Sequence, residues 1–234
     1  MKLKIKKLFK NIYKEALFLY NSSQKRGFIN TLIMIYNEKK FDLKYKTKTT
    51  GIIELNSLEI VSENRGNGVR YEATNSLIFS NIFQKLDRNF KDSIFIDFGS
   101  GKGRAIMMAA DYYFKLLIGV EFSSELCQIA DQNIKRYSKK QQREINYKII
   151  NLDAVDFKVP SDADVFYFFN PFDEKIMNII VDNIDVSVRR CRREILIIYI
   201  NAIHKHVFET RGYKPLLSIE NAIYKENGAI VYTY

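Results

Sequence analysis

Along residues 70 to 234 the apolar positions alternate between two periods: short continuous runs, and the three-and-four spacing of a helix face. The runs predict strands over Ser93 to Phe98, Leu116 to Glu121, Ile145 to Asn151, Asp164 to Phe169 and Glu194 to Ile200. The helical spacing predicts helices over Thr74 to Leu86, Arg104 to Tyr112, Ser124 to Tyr137 and Asp173 to Arg190. Strands separated by helices need crossover connections and therefore lie parallel. Two closing strands, near Leu216 to Tyr224 and Ala229 to Tyr232, are joined through "KENG", and Asn227-Gly228 suits a tight antiparallel turn. The pattern predicts an α/β fold: a doubly wound, seven-stranded, mostly parallel sheet with an antiparallel C-terminal hairpin.

The first residues follow a different pattern. Ile5, Leu8, Phe9, Ile12, Ala16, Leu17 and Tyr20 share one helix face, with Lys6, Lys7, Lys10 and Lys14 opposite. A second helix is expected over Phe28 to Glu38, and "KKFDLKYKTKTTG" as a polar linker or exposed loop. This divides the chain into a basic N-terminal helical extension with its linker, residues 1–65, and a main domain, residues 66–234. The helix over residues 2–20 either packs on that domain or docks peripherally on a membrane surface or an acidic partner.

Charge sharpens the division. The net charge is +10, yet residues 1–50 hold 13 Lys/Arg against 3 Asp/Glu and the remainder holds 24 of each. A neutral main domain weighs against a nucleic-acid partner, which normally meets a basic stripe at the site. Cys127 and Cys191 lack the spacing of a metal site or a redox pair, so no metal is expected. At the N-terminus charges interrupt the apolar residues every few positions, so no signal core or membrane span is expected, and a cytoplasmic enzyme, peripheral at the membrane surface if the basic helix docks there, is the expected setting.

The candidate chemistry starts at "DFGSGKG", Asp97 to Gly103, between a strand and a helix. Gly99, Gly101 and Gly103 allow a sharp turn and let a ligand lie against main-chain N–H groups at the helix N-terminus. The G-x-G-x-x-G spacing of dinucleotide folds fails because Arg104 follows Gly103. A phosphate-binding loop fails too, with Ile96 in place of the first glycine and Gly103 where Ser or Thr should follow Lys102. The D-x-G-x-G-x-G pattern that remains resembles the S-adenosylmethionine loop of class I methyltransferases. A carboxylate at the strand end suits a ligand carrying an ammonium and a sulfonium. Glu121 closes the second strand 24 residues after Asp97, where a carboxylate can accept two ribose hydroxyls. Asp153 and Ala154, after the third strand, resemble the family position that bonds the adenine amino group. Each acid could instead be a helix cap; all three at strand ends point to an adenosine ligand.

On the acceptor side, "FFNPF" delivers Asn170, Pro171 and Phe172 to the same edge, similar to the Asn/Asp-Pro-Pro-aromatic motif of amine-methylating enzymes but lacking the second proline. The competing reading is a proline that stops a buried strand. Upstream, Tyr71, Glu72 and Thr74 in "RYEAT" look like the Tyr-x-Pro-Thr/Ser element of a subgroup that includes non-SET lysine methyltransferases, with Ala73 replacing the proline; Thr74 could equally be an N-cap. Over residues 66–234 the chain thus resembles a bacterial group of class I methyltransferases similar to non-SET, histone-lysine-type enzymes. That resemblance implies a Rossmann-like methyltransferase domain and S-adenosyl-L-methionine as cofactor. Tyr71, Thr74, Asp97, Gly99, Ser100, Gly101, Gly103, Glu121, Phe122, Asp153, Ala154 and Asn170 would bind it; Asn170, Pro171 and Phe172 would hold an amine of a protein or small molecule. His204 and His206 are further candidate bases. A small-molecule or sugar methyltransferase, a nucleic-acid methyltransferase and an inert binding module on the same fold are the alternatives.

Overall fold

The computed structural model describes residues 13, 16–24, 27–60, 62–220 and 228–234. Most of the expected basic helix over residues 2–20, and the turn with Asn227, lie outside these residues; residues 16–24 are helical. The elements, in order, are α1 (Phe28–Tyr45), α2 (Ser76–Leu86), β1 (Ile94–Phe98), α3 (Arg104–Ala109), β2 (Leu116–Glu121), α4 (Ser124–Gln141), β3 (Tyr147–Asn151), β4 (Val165–Phe169), α5 (Glu174–Arg190), β5 (Leu196–Ile200), α6 (His206–Glu209), β6 (Lys214–Ile219) and β7 (Ala229–Thr233).

The sheet runs β3-β2-β1-β4-β5-β7-β6. The first five strands are parallel, while β7 inserts between β5 and β6 and is antiparallel to both. Strands β1, β4 and β5, "IFIDF", "VFYFF" and "LIIYI", are apolar almost throughout because helices cover both faces of the sheet. On one face Phe79, Phe83, Phe95 and Tyr137 pack with α1 to α4; on the other Phe98, Phe168, Met177, Ile180 and Phe208 pack with α5 and α6. The order reverses at β1/β4, so the C-terminal ends of β1, β2 and β4 open a crevice there, where ligands of open α/β sheets bind.

Two expectations are corrected. Helix α1 continues to Tyr45, and residues 39–51 are not an exposed linker: Phe41, Tyr45, Thr47 and Thr49 are buried. The inward positions Thr31, Met34, Glu38, Phe41 and Tyr45 form one continuous stripe, which the intervening lysines disguise. Tyr45 and Phe41 pack against Tyr137 of α4, at 4.3 and 6.2 Å between ring centres. Helix α2, in turn, is capped by Asn75, whose Oδ1 accepts from the N–H groups of Leu77 and Ile78, and not by Thr74.

Candidate active site

Asp97 sits near the end of β1, in register with Gly119 of β2 and Tyr167 of β4. It is buried, lines the crevice, and accepts no side-chain or loop hydrogen bond from the described residues. Burial, with the neighbouring Glu121 charge, holds its carboxyl well above the usual carboxylate range. Glu121, at the end of β2, is also buried, which pushes it up to about 7 even though it accepts from the N–H groups of Ser123 and Gly101, each at 2.9 Å. Two buried carboxyls, both raised by desolvation and Asp97 further by the Glu121 charge, form a site that a cation would relieve.

The glycine loop differs from the expectation that its N–H groups face a ligand. Gly99 and Ser100 donate to the Val120 carbonyl, Gly101 to Glu121 and Gly103 to the Ser100 carbonyl. With those donors spent inside the protein, the loop is not a phosphate cradle. What its bare backbone provides is close approach by other chain segments. A Cβ on Gly101 would fall 2.4 Å from the Tyr71 ring, and one on Gly99 would fall 2.7 Å from Pro171; both glycines also have left-handed φ. Gly103 lies behind the crevice, against Ala130 and Ile134, as the residue before α3.

Residues 67–74 run across the sheet end and join the two halves of the site. Tyr71 pairs with Ile53 in an antiparallel bridge, and Val69 N–H donates to the Pro171 carbonyl at 2.9 Å. The Tyr71 hydroxyl donates to the Thr49 carbonyl at 2.6 Å, while burial pushes its ionisation far upward and keeps it a donor. Thr74 and the Tyr167 hydroxyl are hydrogen-bonded at 2.9 Å. On the acceptor side Asn170 adopts a left-handed φ of 39°. The Tyr199 hydroxyl accepts the His204 N–H at 3.2 Å and donates to Asn170 Oδ1 at 3.3 Å, which fixes the orientation of that amide.

Of the residues expected in the site, Tyr71, Thr74, Asp97, Gly99, Ser100, Gly101, Glu121, Phe122, Ala154, Asn170, Pro171 and Phe172 share this crevice. Asp153 does not line it: its carboxylate accepts from the Ser62 hydroxyl at 2.5 Å and Asn64 Nδ2 at 2.9 Å, and it opens on a neighbouring hollow. Neither histidine lines the crevice; His206 pairs with Glu174 at 3.0 Å on the surface. Lining residues that the sequence reading did not single out include Arg104, Tyr167 and Asn201. Arg104 directly follows the glycine motif, and Asn201 directly follows β5, so strand-end position was the available signal for both.

Arg104 is 2% exposed. Its Nε donates to Thr49 Oγ1 at 2.6 Å, its Nη2 lies 3.6 Å from Asp42, and its guanidinium carbon lies over the Phe41 ring, 4.8 Å from the ring centre, yet Nη1 has no hydrogen-bond partner among the described residues. Ser100 Oγ is likewise buried without a partner. This set fits S-adenosylmethionine: Asp97 and Glu121 for its positive groups and ribose, Arg104 Nη1 for its carboxylate, and Phe122, Leu152 and Ala154 beside the adenosine end. When bound, the cofactor supplies an electrophilic methyl group on a sulfonium.

A family model described as "Histone methylation protein DOT1" matches residues 52–162. No curated protein matches. Among solved structures, the precorrin-6y C5,15-methyltransferase from Geobacter metallireducens superposes with a TM-score of 0.50 at 16% identity, over 76% of this chain and 93% of that one. An RNA methyltransferase from Salinibacter ruber in complex with S-adenosyl-L-homocysteine gives 0.45 at 16%, over 69% and 91%. A StiE O-methyltransferase fragment gives 0.49 at 15%, covering 65% of this chain, which spans only 58% of that fragment. The sheet order, the crevice with its paired carboxyls and the match over residues 52–162 agree on the fold and the cofactor site of class I, S-adenosylmethionine-dependent methyltransferases.

Proposed function

We propose that the methyl acceptor is an amine, with a protein lysine as the favoured form. The observation that carries this is Asn170-Pro171-Phe172 at the mouth of the cofactor crevice, with the Asn170 amide held by Tyr199. Methyl transfer needs a nitrogen lone pair aimed at the methyl carbon and the N–H bonds held away from it. Asn170 Oδ1 and the Pro171 carbonyl each keep one lone pair for that purpose, after Tyr199 and Val69 have taken the other. The carboxyls Glu72, Asp97 and Glu121 line the crevice beside the guanidiniums of Arg70 and Arg104, so no basic stripe that would meet a polyanion lines it. Similarity to a family described by histone methylation agrees with this reading. The free thiols of Cys127 and Cys191 fit a reducing compartment, and we place the enzyme in the cytoplasm.

The test is transfer of labelled methyl from S-adenosylmethionine to polylysine, acetylated polylysine, a set of sugars and small alcohols, and RNA. Label should enter polylysine alone. Asn170→Ala should lower kcat about a hundredfold with cofactor affinity retained, and Tyr199→Phe several-fold, since it removes only the hydroxyl that orients the amide. Label in hydroxyl acceptors or RNA, with polylysine blank, would replace the amine reading.

A further inference from the structure

Helix α1 is apolar on two opposite faces. Its inward face, Thr31, Met34, Glu38, Phe41 and Tyr45, closes the core. Its outward face exposes Phe28, Ile29, Leu32, Ile33, Tyr36 and Leu43, with Ile29 72%, Tyr36 63% and Leu43 80% accessible. An ordinary surface helix has charged and polar residues at those positions. The remaining outward positions are the exposed lysines 39, 40 and 44, and no carboxylate shares the face. Glu38 points inward, and Asp42 turns toward Thr47, Thr49 and Thr50.

We propose that this face seats the enzyme on an anionic lipid bilayer, α1 lying in the interface with Phe28, Ile29, Leu32, Ile33, Tyr36 and Leu43 in the headgroup region. Charge complementarity selects this occupant. The charged side chains of this face are Lys39, Lys40 and Lys44 with no carboxylate among them, so a second copy would bring like charges together. The chain's first twelve residues, with five lysines, would do the same if they folded over it. A single-helix stripe of aliphatic and aromatic side chains edged by lysines matches an interfacial helix, which inserts apolar groups shallowly while its cations meet lipid phosphates. No described helix is long and apolar enough to cross a membrane, so α1 would lie on the surface. The proposal concerns residues 28–44, separate from the basic segment at the extreme N-terminus, and is independent of the acceptor's identity.

The experiment is co-sedimentation of the full chain with vesicles of phosphatidylcholine alone and of equal parts phosphatidylcholine and phosphatidylglycerol. Calorimetric S-adenosylmethionine binding checks the fold of each variant. The chain should bind the anionic vesicles only, and salt should weaken binding. Ile29→Ser with Ile33→Ser, and separately Lys39→Gln with Lys40→Gln and Lys44→Gln, should each lower vesicle affinity by about tenfold or more while cofactor binding is kept. Absence of vesicle binding would overturn the proposal. So would binding that both variants retain, which would assign it to the first residues. Self-association, or capture by an acidic polypeptide, that the variants abolish while vesicle binding stays unchanged would assign the face to a protein.

Discussion

Two carboxylates, Asp42 partly and Asp97 fully buried, flank the same glycine loop, and their surroundings are opposite. Asp42, on the α1 side, accepts hydrogen bonds from the Thr47, Thr49 and Thr50 hydroxyls and from the main-chain N–H groups of Thr49 and Thr50, at 2.7 to 3.0 Å. Those bonds outweigh burial and hold its carboxyl at about 2. Asp97, on the crevice side, receives no such donor, stands close enough to Glu121 to feel its charge, and is driven upward. The first carboxylate is satisfied by the chain itself and builds structure. The second is left unsatisfied, and the binding of a cationic cofactor would make good the deficit. Asp42 nonetheless reaches the site indirectly: it fixes the Thr47–Thr50 turn, which receives the Tyr71 hydroxyl, the Lys102 ammonium at 3.1 Å and Arg104.

Breaking the satisfied side should have the largest effect. Asp42→Ala leaves five donors without their acceptor, so urea unfolding should show a loss of about 3–5 kcal/mol, and cofactor binding should weaken as Tyr71 and Arg104 lose their anchor. Because the folded value lies below the unfolded one, this contribution is complete above about pH 4 and is lost as pH falls through about 2. An unchanged unfolding midpoint would mean that the threonine turn stands without Asp42.

Next comes the unsatisfied side. Asp97→Asn removes a buried like charge, so the free protein should be as stable as wild type or more so, while calorimetry should show S-adenosylmethionine binding about a hundredfold weaker, near 3 kcal/mol. Equal losses of stability in the Asp42 and Asp97 variants would erase the distinction drawn between them.

The smallest effect is a slope. Glu121 rises from 4.5 to about 7 on folding. Between those values the native chain keeps a proton that the unfolded chain has released. Its contribution to stability is therefore intact below about pH 4.5, falls as pH rises toward 7, and is level above that. Glu121→Gln should remove this slope, about 1.4 kcal/mol per pH unit and about 3 kcal/mol in all, from thermal melts of the free protein and should weaken cofactor binding at pH 8. A variant with the wild-type slope would show that Glu121 ionises in the folded chain as it does in water.

Strand composition and glycine spacing made the parallel sheet, the crevice and most of its lining legible. Short apolar runs that alternate with helical segments read as parallel strands covered on both faces, and the acids that end such strands gather at one sheet edge. The Asp97–Gly103 motif and Glu121 were readable for that reason. Phe41 and Tyr45 were not: lysines at the intervening positions looked like a linker, although a helix buries every third or fourth residue regardless of what lies between. Asp153 was misplaced because its position after β3 was visible while its partners, Ser62 and Asn64, come from a segment some ninety residues earlier.

By itself, then, the sequence determined the order and type of the elements and the residues brought to the sheet edge, since period and local spacing are properties of contiguous chain. Tertiary structure alone decided which carboxylates are satisfied. Asp42, Asp97 and Glu121 are the same chemistry in one dimension. They separate only where folding brings five donors to Asp42, main-chain donors to Glu121 and a like charge to Asp97, and excludes water from the last two, because proton affinity depends on distance and dielectric, which a linear sequence does not contain.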